Sequence, residues 1–282
     1  MTKEEFQIIY NLSSQQPWLV GKDEVLIDLL FEEAKEPGQR TLLIELISKF
    51  LYLNHDNFAT SLFELAQSIT TDPTLSDETT AVVALTRSSK SDSGQFVLYS
   101  LKPLLSELGW NKFIDCNSAD RCYKKVKQST SIRNVVLVDE VIGSGSTVLL
   151  TYRDLQKVFR ENGLDVTIKI KSIIACQQGI DSILAEGVDL ECIHSLKKGI
   201  SDSYTSDRER GLKLDCMRQL ENALEPKIGD RELPSLGHGG TEALYCREGG
   251  NTPNSVFPVF WWPEFRGTRE RKTILHRARK DL

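Results

Sequence analysis

The densest chemistry in this sequence lies at residues 135–147, which read Val-Val-Leu-Val-Asp-Glu-Val-Ile-Gly-Ser-Gly-Ser-Thr. The apolar run suits a buried strand, and the small-residue turn after it suits the entry to a helix. Gly143 and Gly145 let the backbone turn tightly and come close to a ligand with no side chain in the way. The amides of residues 144–147 would then point at a monophosphate near the helix N-terminus, and the hydroxyls of Ser144, Ser146 and Thr147 add donors. Asp139 and Glu140 precede the turn by roughly the length of a sugar, where carboxylates could hold ribose hydroxyls directly or through Mg2+. The bland alternative is a plain strand-to-helix turn with a solvated acid pair.

Such a turn needs a scaffold. Short apolar runs at 81–85, 112–115, 134–139, 166–175 and 190–194 alternate with amphipathic stretches at 95–108, 147–162 and 180–186. That alternation predicts an α/β fold, a parallel sheet flanked by helices, with its ligand edge at the carboxyl ends of the strands. Before it, residues 1–75 read as a helical N-terminal region, with apolar residues at helical spacing in Val25, Ile27, Leu29, Leu30 and again in Leu42, Leu43, Leu46, Ile47, Phe50. Breaks at Gln15-Gln16-Pro17 and Glu36-Pro37-Gly38 divide that region into three or four helices. The core is expected over 76–200. The remainder, 201–282, holds the loop Gly237-His238-Gly239-Gly240, an apolar cluster at 256–260 with Trp261 and Trp262, and a basic end.

Composition excludes several classes. With 282 residues, 40% hydrophobic and 27% charged, the chain is ordinary globular material. A net charge of -5 argues against the whole molecule acting as an electrostatic glove for nucleic acid. Arg266, Arg269, Arg271, Lys272, Arg277, Arg279 and Lys280 nevertheless form a basic tail, read as a nucleic-acid contact or as a solvated face. The N-terminus is acidic where a signal peptide would be basic, and no apolar run reaches the roughly 18 to 20 residues of a membrane helix, so a cytosolic protein is expected. The six cysteines contain no Cys-x-x-Cys pair and the four histidines fall in no metal-ligand spacing, which predicts reduced, structural thiols.

The segment 135–147 resembles the phosphoribosyl-diphosphate motif of type I phosphoribosyltransferases, in which a hydrophobic strand runs into an acid pair and a small-residue phosphate loop. The resemblance covers about residues 76–200. It implies a pyrophosphate loop at Arg87, Ser88, Ser89 and Lys90, where the arginine offers a bidentate fork and the lysine a point charge. It also implies a flexible basic lid around Arg121, Lys124 and Lys125, and Mg2+ held indirectly by Asp139 and Glu140. Two departures stand out. The second acid is glutamate where the family usually has aspartate, and Gly143 stands where purine-salvage members carry an acid that works on the base.

The C-terminal text Leu236-Gly237-His238-Gly239-Gly240-Thr241-Glu242-Ala243-Leu244, with Asn251, Asn254 and Trp261-Trp262, resembles phosphoribosyltransferase-like proteins of bacterial conflict and phage-defence, retron-like, operons. That resemblance implies a C-terminal hood in which Asn251 and Asn254 read a base and the Trp pair stacks on it, unless the tryptophans are core plugs. It also implies a protein partner encoded in the same operon and leaves room for a homo-oligomer. The leading functional expectation is an enzyme acting at the anomeric carbon of a 5'-phosphoribosyl substrate, either phosphoribosyl diphosphate or a nucleotide, as a nucleotide-depleting effector. The second is a regulator or partner subunit that binds such a ligand without turnover.

Overall fold

The structure, a computed structural model, describes residues 1–86, 92–129 and 131–281. The chain divides into two compact units, Met1–His55 with Lys197–Leu282, and Asp56–Leu196.

The terminal unit opens with α1 (Lys3–Gln15), α2 (Asp23–Ile27), α3 (Pro37–Ser48) and β1 (Leu51–Leu53). The start of α1 is a capping box: Thr2 Oγ1 accepts from the Glu5 amide, and the Glu5 carboxylate accepts from the Thr2 amide. Pro37 stands in the first turn of α3, where its missing N–H costs nothing.

The sheet unit contains α4 (His55–Thr70), β2 (Thr80–Ala84), α5 (Ser93–Glu107), β3 (Ile114–Cys116), α6 (Ala119–Gln128), β4 (Asn134–Ile142), α7 (Ser146–Glu161), β5 (Thr167–Cys176), α8 (Gln177–Ala185) and β6 (Asp189–Leu196). The chain then returns to the terminal unit with α9 (Asp207–Glu221), β7 (Lys227–Ile228), β8 (Arg231–Glu232) and β9 (Tyr245–Arg247).

The five-stranded sheet has the order β3-β2-β4-β5-β6, with every pairing parallel, so the α/β fold expected of the sequence is the fold observed. The run Val135–Val138 lies in the central strand and is fully buried, as a strand covered on both faces requires. Lys171, 3% exposed on β5, is tied to the Ser68 carbonyl at 3.0 Å and paired with Asp72 and Glu191, which fixes the end of α4 against the sheet.

Three features differ from the sequence-based expectations. Strand β4 continues to Ile142, three residues past the expected end at 139. Where the sequence placed no helix, the basic segment around Arg121 forms one, α6. The N-terminal helices are not one region: α4 belongs with the sheet, whereas α1 to α3 share a unit with the C-terminal segment. Within that unit β1 pairs in parallel with β9, and the Phe50 ring meets Phe260 edge-on at 5.2 Å. Periodicity shows that a helix has an apolar face, but the residue that covers the face can lie anywhere in the chain.

Candidate functional site

Because β4 runs through the acid pair instead of ending at it, Asp139 and Glu140 point to opposite faces of the sheet. Asp139 is half-buried, whereas Glu140 is 4% exposed. Of the two acids, only Asp139 keeps contact with solvent beside the turn.

The Asp139 carboxylate accepts from Ser93 Oγ at 2.8 Å and from the Glu140 amide at 2.7 Å. Ser93 opens α5, and Asp92 caps that helix by accepting from the Gln95 amide. Although Asp139 keeps some contact with solvent, the protein crowds it closely. That desolvation pushes its carboxyl up to about 7, the two hydrogen bonds pull the other way, and the negative charges of Asp92 and Glu140 add to the rise. A carboxyl with this affinity for its proton is poised to hold or release one near neutrality.

The turn behaves as its composition suggests. Gly145 has φ +81 and caps α7 with no side-chain cap, so the first amides of a sixteen-residue helix lack intrahelical partners. Ser144 and Ser146 hydroxyls lie 3.1 Å apart, Ser146 and Thr147 are exposed, and Gly143 is half-buried. The sequence reading assigned the need for glycine at 145 to the room an anion requires; the structure gives another reason. A Cβ on Gly145 would meet the Gly179 carbonyl oxygen at 3.1 Å and Ile183 at 3.3 Å, so position 145 is small because α8 packs against it. The approach is closer from the other side, where a Cβ on Gly179 would stand 2.2 Å from the Gly143 carbonyl oxygen. Gly179 thus sets the position of the turn, and sequence reasoning passed over it. A lone glycine near a helix start is a common sight, and only the contact reveals its use.

The other expected site residues separate. Arg87, Ser88, Ser89 and Lys90, the expected pyrophosphate loop, lie outside the described residues. Lys125, expected in the lid, donates from Nζ to the Asp115 carbonyl at 2.5 Å, while Arg121 and Lys124 lie exposed on α6. In the terminal unit both polar ends of the Asn251 amide are engaged, Nδ2 donating to Asp281 at 2.8 Å and Oδ1 accepting from the Ala278 amide at 2.8 Å. The backbone carbonyl of the half-buried Asn254 accepts from the His238 amide.

Trp261 and Trp262 are 2% and 1% exposed, and Trp261 donates to the Val256 carbonyl. They plug the core of their unit and present no open ring face on which a base could stack. The basic tail is largely consumed as well: Arg271 is buried against Glu33 and the carbonyls of Trp262 and Val259, Arg277 covers the Trp261 ring, and Arg279 pairs with Glu270.

Among the described residues no group of three His, Cys, Asp or Glu side chains could cage a metal, and all six cysteines are free thiols. Mg2+ seldom needs such a cage, since one carboxylate with substrate phosphates and waters satisfies it. Asp139, just before the Gly143–Thr147 turn, fits that requirement. No helix among the described residues is long and apolar enough to cross a membrane.

No curated protein matches the chain in sequence. Among solved structures it is similar to the xanthine-guanine-hypoxanthine phosphoribosyltransferase of Helicobacter pylori, at 12% identity and a TM-score of 0.33, covering 52% of this chain and 83% of that one. A hypothetical protein from Neisseria gonorrhoeae with bound ppGpp is similar at 14% identity and a TM-score of 0.36, covering 52% and 85%. The orotate phosphoribosyltransferase of Aeropyrum pernix is similar at 17% identity and a TM-score of 0.32, covering 50% and 71%. These likenesses are weak, and nothing about activity follows from them. The family match is extensive, running over residues 28–276 and so through both units. With a parallel sheet, a buried central strand and a glycine turn at its carboxyl edge, the chain belongs to the PRTase-CE family.

Proposed function

We propose that the protein is a phosphoribosyltransferase-like enzyme acting at the anomeric carbon of a 5'-phosphoribosyl substrate, either phosphoribosyl diphosphate or a nucleotide. The observation that carries this reading is Asp139, a half-buried carboxyl shifted toward neutrality on the strand that feeds the Gly143–Thr147 turn. In this reading the 5'-phosphate takes the amides at the start of α7, and the ribose lies toward Asp139. A ribosyl cation develops as the bond at the anomeric carbon breaks, and Asp139 in its ionised form stabilises that charge. Mg2+, when bound by Asp139 and the substrate's phosphate oxygens, would neutralise charge on the leaving side. The nucleotide-depleting role in antiviral defence, and a partner from the same operon, belong to this proposal on the strength of the C-terminal resemblance alone.

A module that binds the same ligand without turnover is the second reading, favoured by the burial of Glu140 on the far face. One experiment separates them. A panel of nucleotides and phosphoribosyl diphosphate is incubated with the full chain and Mg2+, and mass analysis follows lost base or released pyrophosphate. Enzymatic turnover should fall about a hundredfold or more in Asp139→Asn, the typical cost of losing one placed electrostatic group. Turnover unchanged in that variant would remove Asp139 from the chemistry. A parent that binds the panel and turns over none of it would select the second reading.

A further inference from the structure

Both hydrogen bonds to the Asp139 carboxylate go to the same oxygen: Ser93 Oγ donates to Oδ1 at 2.8 Å, and the Glu140 amide donates to Oδ1 at 2.7 Å. Among the described residues nothing donates to Oδ2, so its lone pairs remain for a ligand. The two bonds differ in what they fix. The Glu140 amide belongs to the next residue of the chain and travels with Asp139, whereas Ser93 reaches the carboxylate from α5. The last torsion of an aspartate is broad and roughly two-fold, so a carboxylate with only a local donor turns about it readily. A second donor on a separate, fixed element stops that rotation.

Ser93 is held in such a place. Gly94, buried in the first turn of α5, packs directly on the end of β2: a Cβ there would meet the Leu85 amide nitrogen at 3.1 Å and the Leu85 carbonyl oxygen at 3.2 Å. The Leu85 amide in turn donates to the Val138 carbonyl at 2.9 Å, one residue before Asp139. The start of the helix therefore sits on backbone that is itself bonded to β4, with no side chain between them to give way. We propose that Ser93 is a positioning residue for Asp139, fixing which carboxylate oxygen is presented to the ligand, and that Gly94 seats Ser93 for this task. The reaction served is that of the phosphoribosyl reading, and to that extent the inference rests on it; the orientation of the carboxylate is a separate matter. A placed charge stabilises a developing cation only while its direction is kept, so a hydroxyl that never touches substrate can set the rate.

Three variants of the full chain test the assignment: Ser93→Ala, Ser93→Thr and Gly94→Ala. The Asp92 cap is untouched in Ser93→Ala and alanine suits a helix, so this variant should fold. Crystal structures give the first readout. The Asp139 carboxylate should hold one orientation in the parent and in Ser93→Thr, which keeps the hydroxyl, and should turn or split into two orientations in Ser93→Ala. Gly94→Ala should lengthen the bond between Ser93 and Asp139 as α5 moves off Leu85. Turnover of whichever substrate the nucleotide and phosphoribosyl diphosphate panel yields gives the second readout. In Ser93→Ala kcat should fall about tenfold or more with KM within about twofold of the parent, because misdirecting the charge weakens the transition state and not the bound ground state. Ser93→Thr should restore kcat. A carboxylate that keeps the parent orientation in Ser93→Ala would overturn the proposal, as would an unchanged kcat or a loss that Ser93→Thr fails to restore. A parent that turns over nothing in the panel removes the phosphoribosyl reading alone, and the orientation of the carboxylate then decides the role of Ser93.

Discussion

The turn at 143–147 and the loop at 236–242 both set glycines among small and polar residues, and in sequence they invite the same reading. Their backbones are occupied differently. In the turn one glycine has positive φ, and the amides that follow it begin a long helix without partners. The loop instead has positive φ at Leu236, Gly237, Gly239, Gly240 and Glu242, and it spends its hydrogen bonds on its own unit. The His238 amide donates to the Asn254 carbonyl, and Thr241 Oγ1 donates to the Ser255 carbonyl. The Glu242 carboxylate, 2% exposed, accepts from the amides of Ile200 and Ser201 and from the Ser201 hydroxyl. The turn has amides to offer a ligand, whereas the loop has spent most of its own and acts as a clasp.

The largest effect that would test this contrast is structural. Gly237 has φ +79, and a Cβ there would stand 2.0 Å from the Ser255 carbonyl oxygen. Gly237→Ala should therefore cost roughly 3 kcal/mol of stability in denaturant unfolding, from backbone strain and overpacking together. Phosphate binding at the turn, measured below the unfolding transition, should stay as in the parent. A variant that keeps full stability would show that the loop is not a clasp.

Next in size is Gly179→Ala, which drives a methyl group toward the Gly143 carbonyl oxygen. Phosphate affinity by calorimetry should fall about tenfold or more, about 1.4 kcal/mol, because the turn must move off α8. If affinity holds while stability drops, Gly179 is a packing residue and the turn tolerates displacement.

A smaller, pH-dependent effect compares the acids beside the two segments. Glu221 accepts from the Ser235 hydroxyl and the Leu236 amide at the loop's edge, and burial pushes its carboxyl up to about 7, as it does for Asp139. In both cases the folded state holds the proton more tightly than the unfolded chain, whose ordinary values are 4.5 and 3.8. The stability each contributes is thus complete below about pH 4 and is lost as pH rises through about 7. Thermal unfolding across that window should decline with pH, and Asp139→Asn and Glu221→Gln should each flatten part of the decline. Only Asp139→Asn should also remove the pH dependence of phosphate affinity, since ionised Asp139 repels an anion at the turn. Equal effects of both variants on affinity would dissolve the contrast.

The smallest expected change is in Trp262→Phe. Trp262 Nε1 is buried with no hydrogen-bond partner, so the change removes an unsatisfied donor while opening a small void. Stability should shift by about 1 kcal/mol or less in either direction. Trp261→Phe loses the bond to the Val256 carbonyl and should cost more. Neither should alter nucleotide binding if the pair is core.

Much of this protein was legible before any coordinates. The run 135–138 is uniformly apolar and β-branched or leucine, which favours a strand covered on both faces, and the small-residue turn after it favours the start of a helix. Those are local properties, set by side-chain type and glycine's freedom at positive φ. What tertiary structure decided is where such segments stop and what they touch. Three further residues of β4 turned the expected acid pair into one half-buried carboxyl and one in the core. Contact with α8 made Gly179 part of the turn, and burial made Trp261 and Trp262 core rather than platform. The reason is physical: alternation along a strand depends on its end point, and burial depends on partners far away in sequence, so neither is encoded in the residues that show the effect.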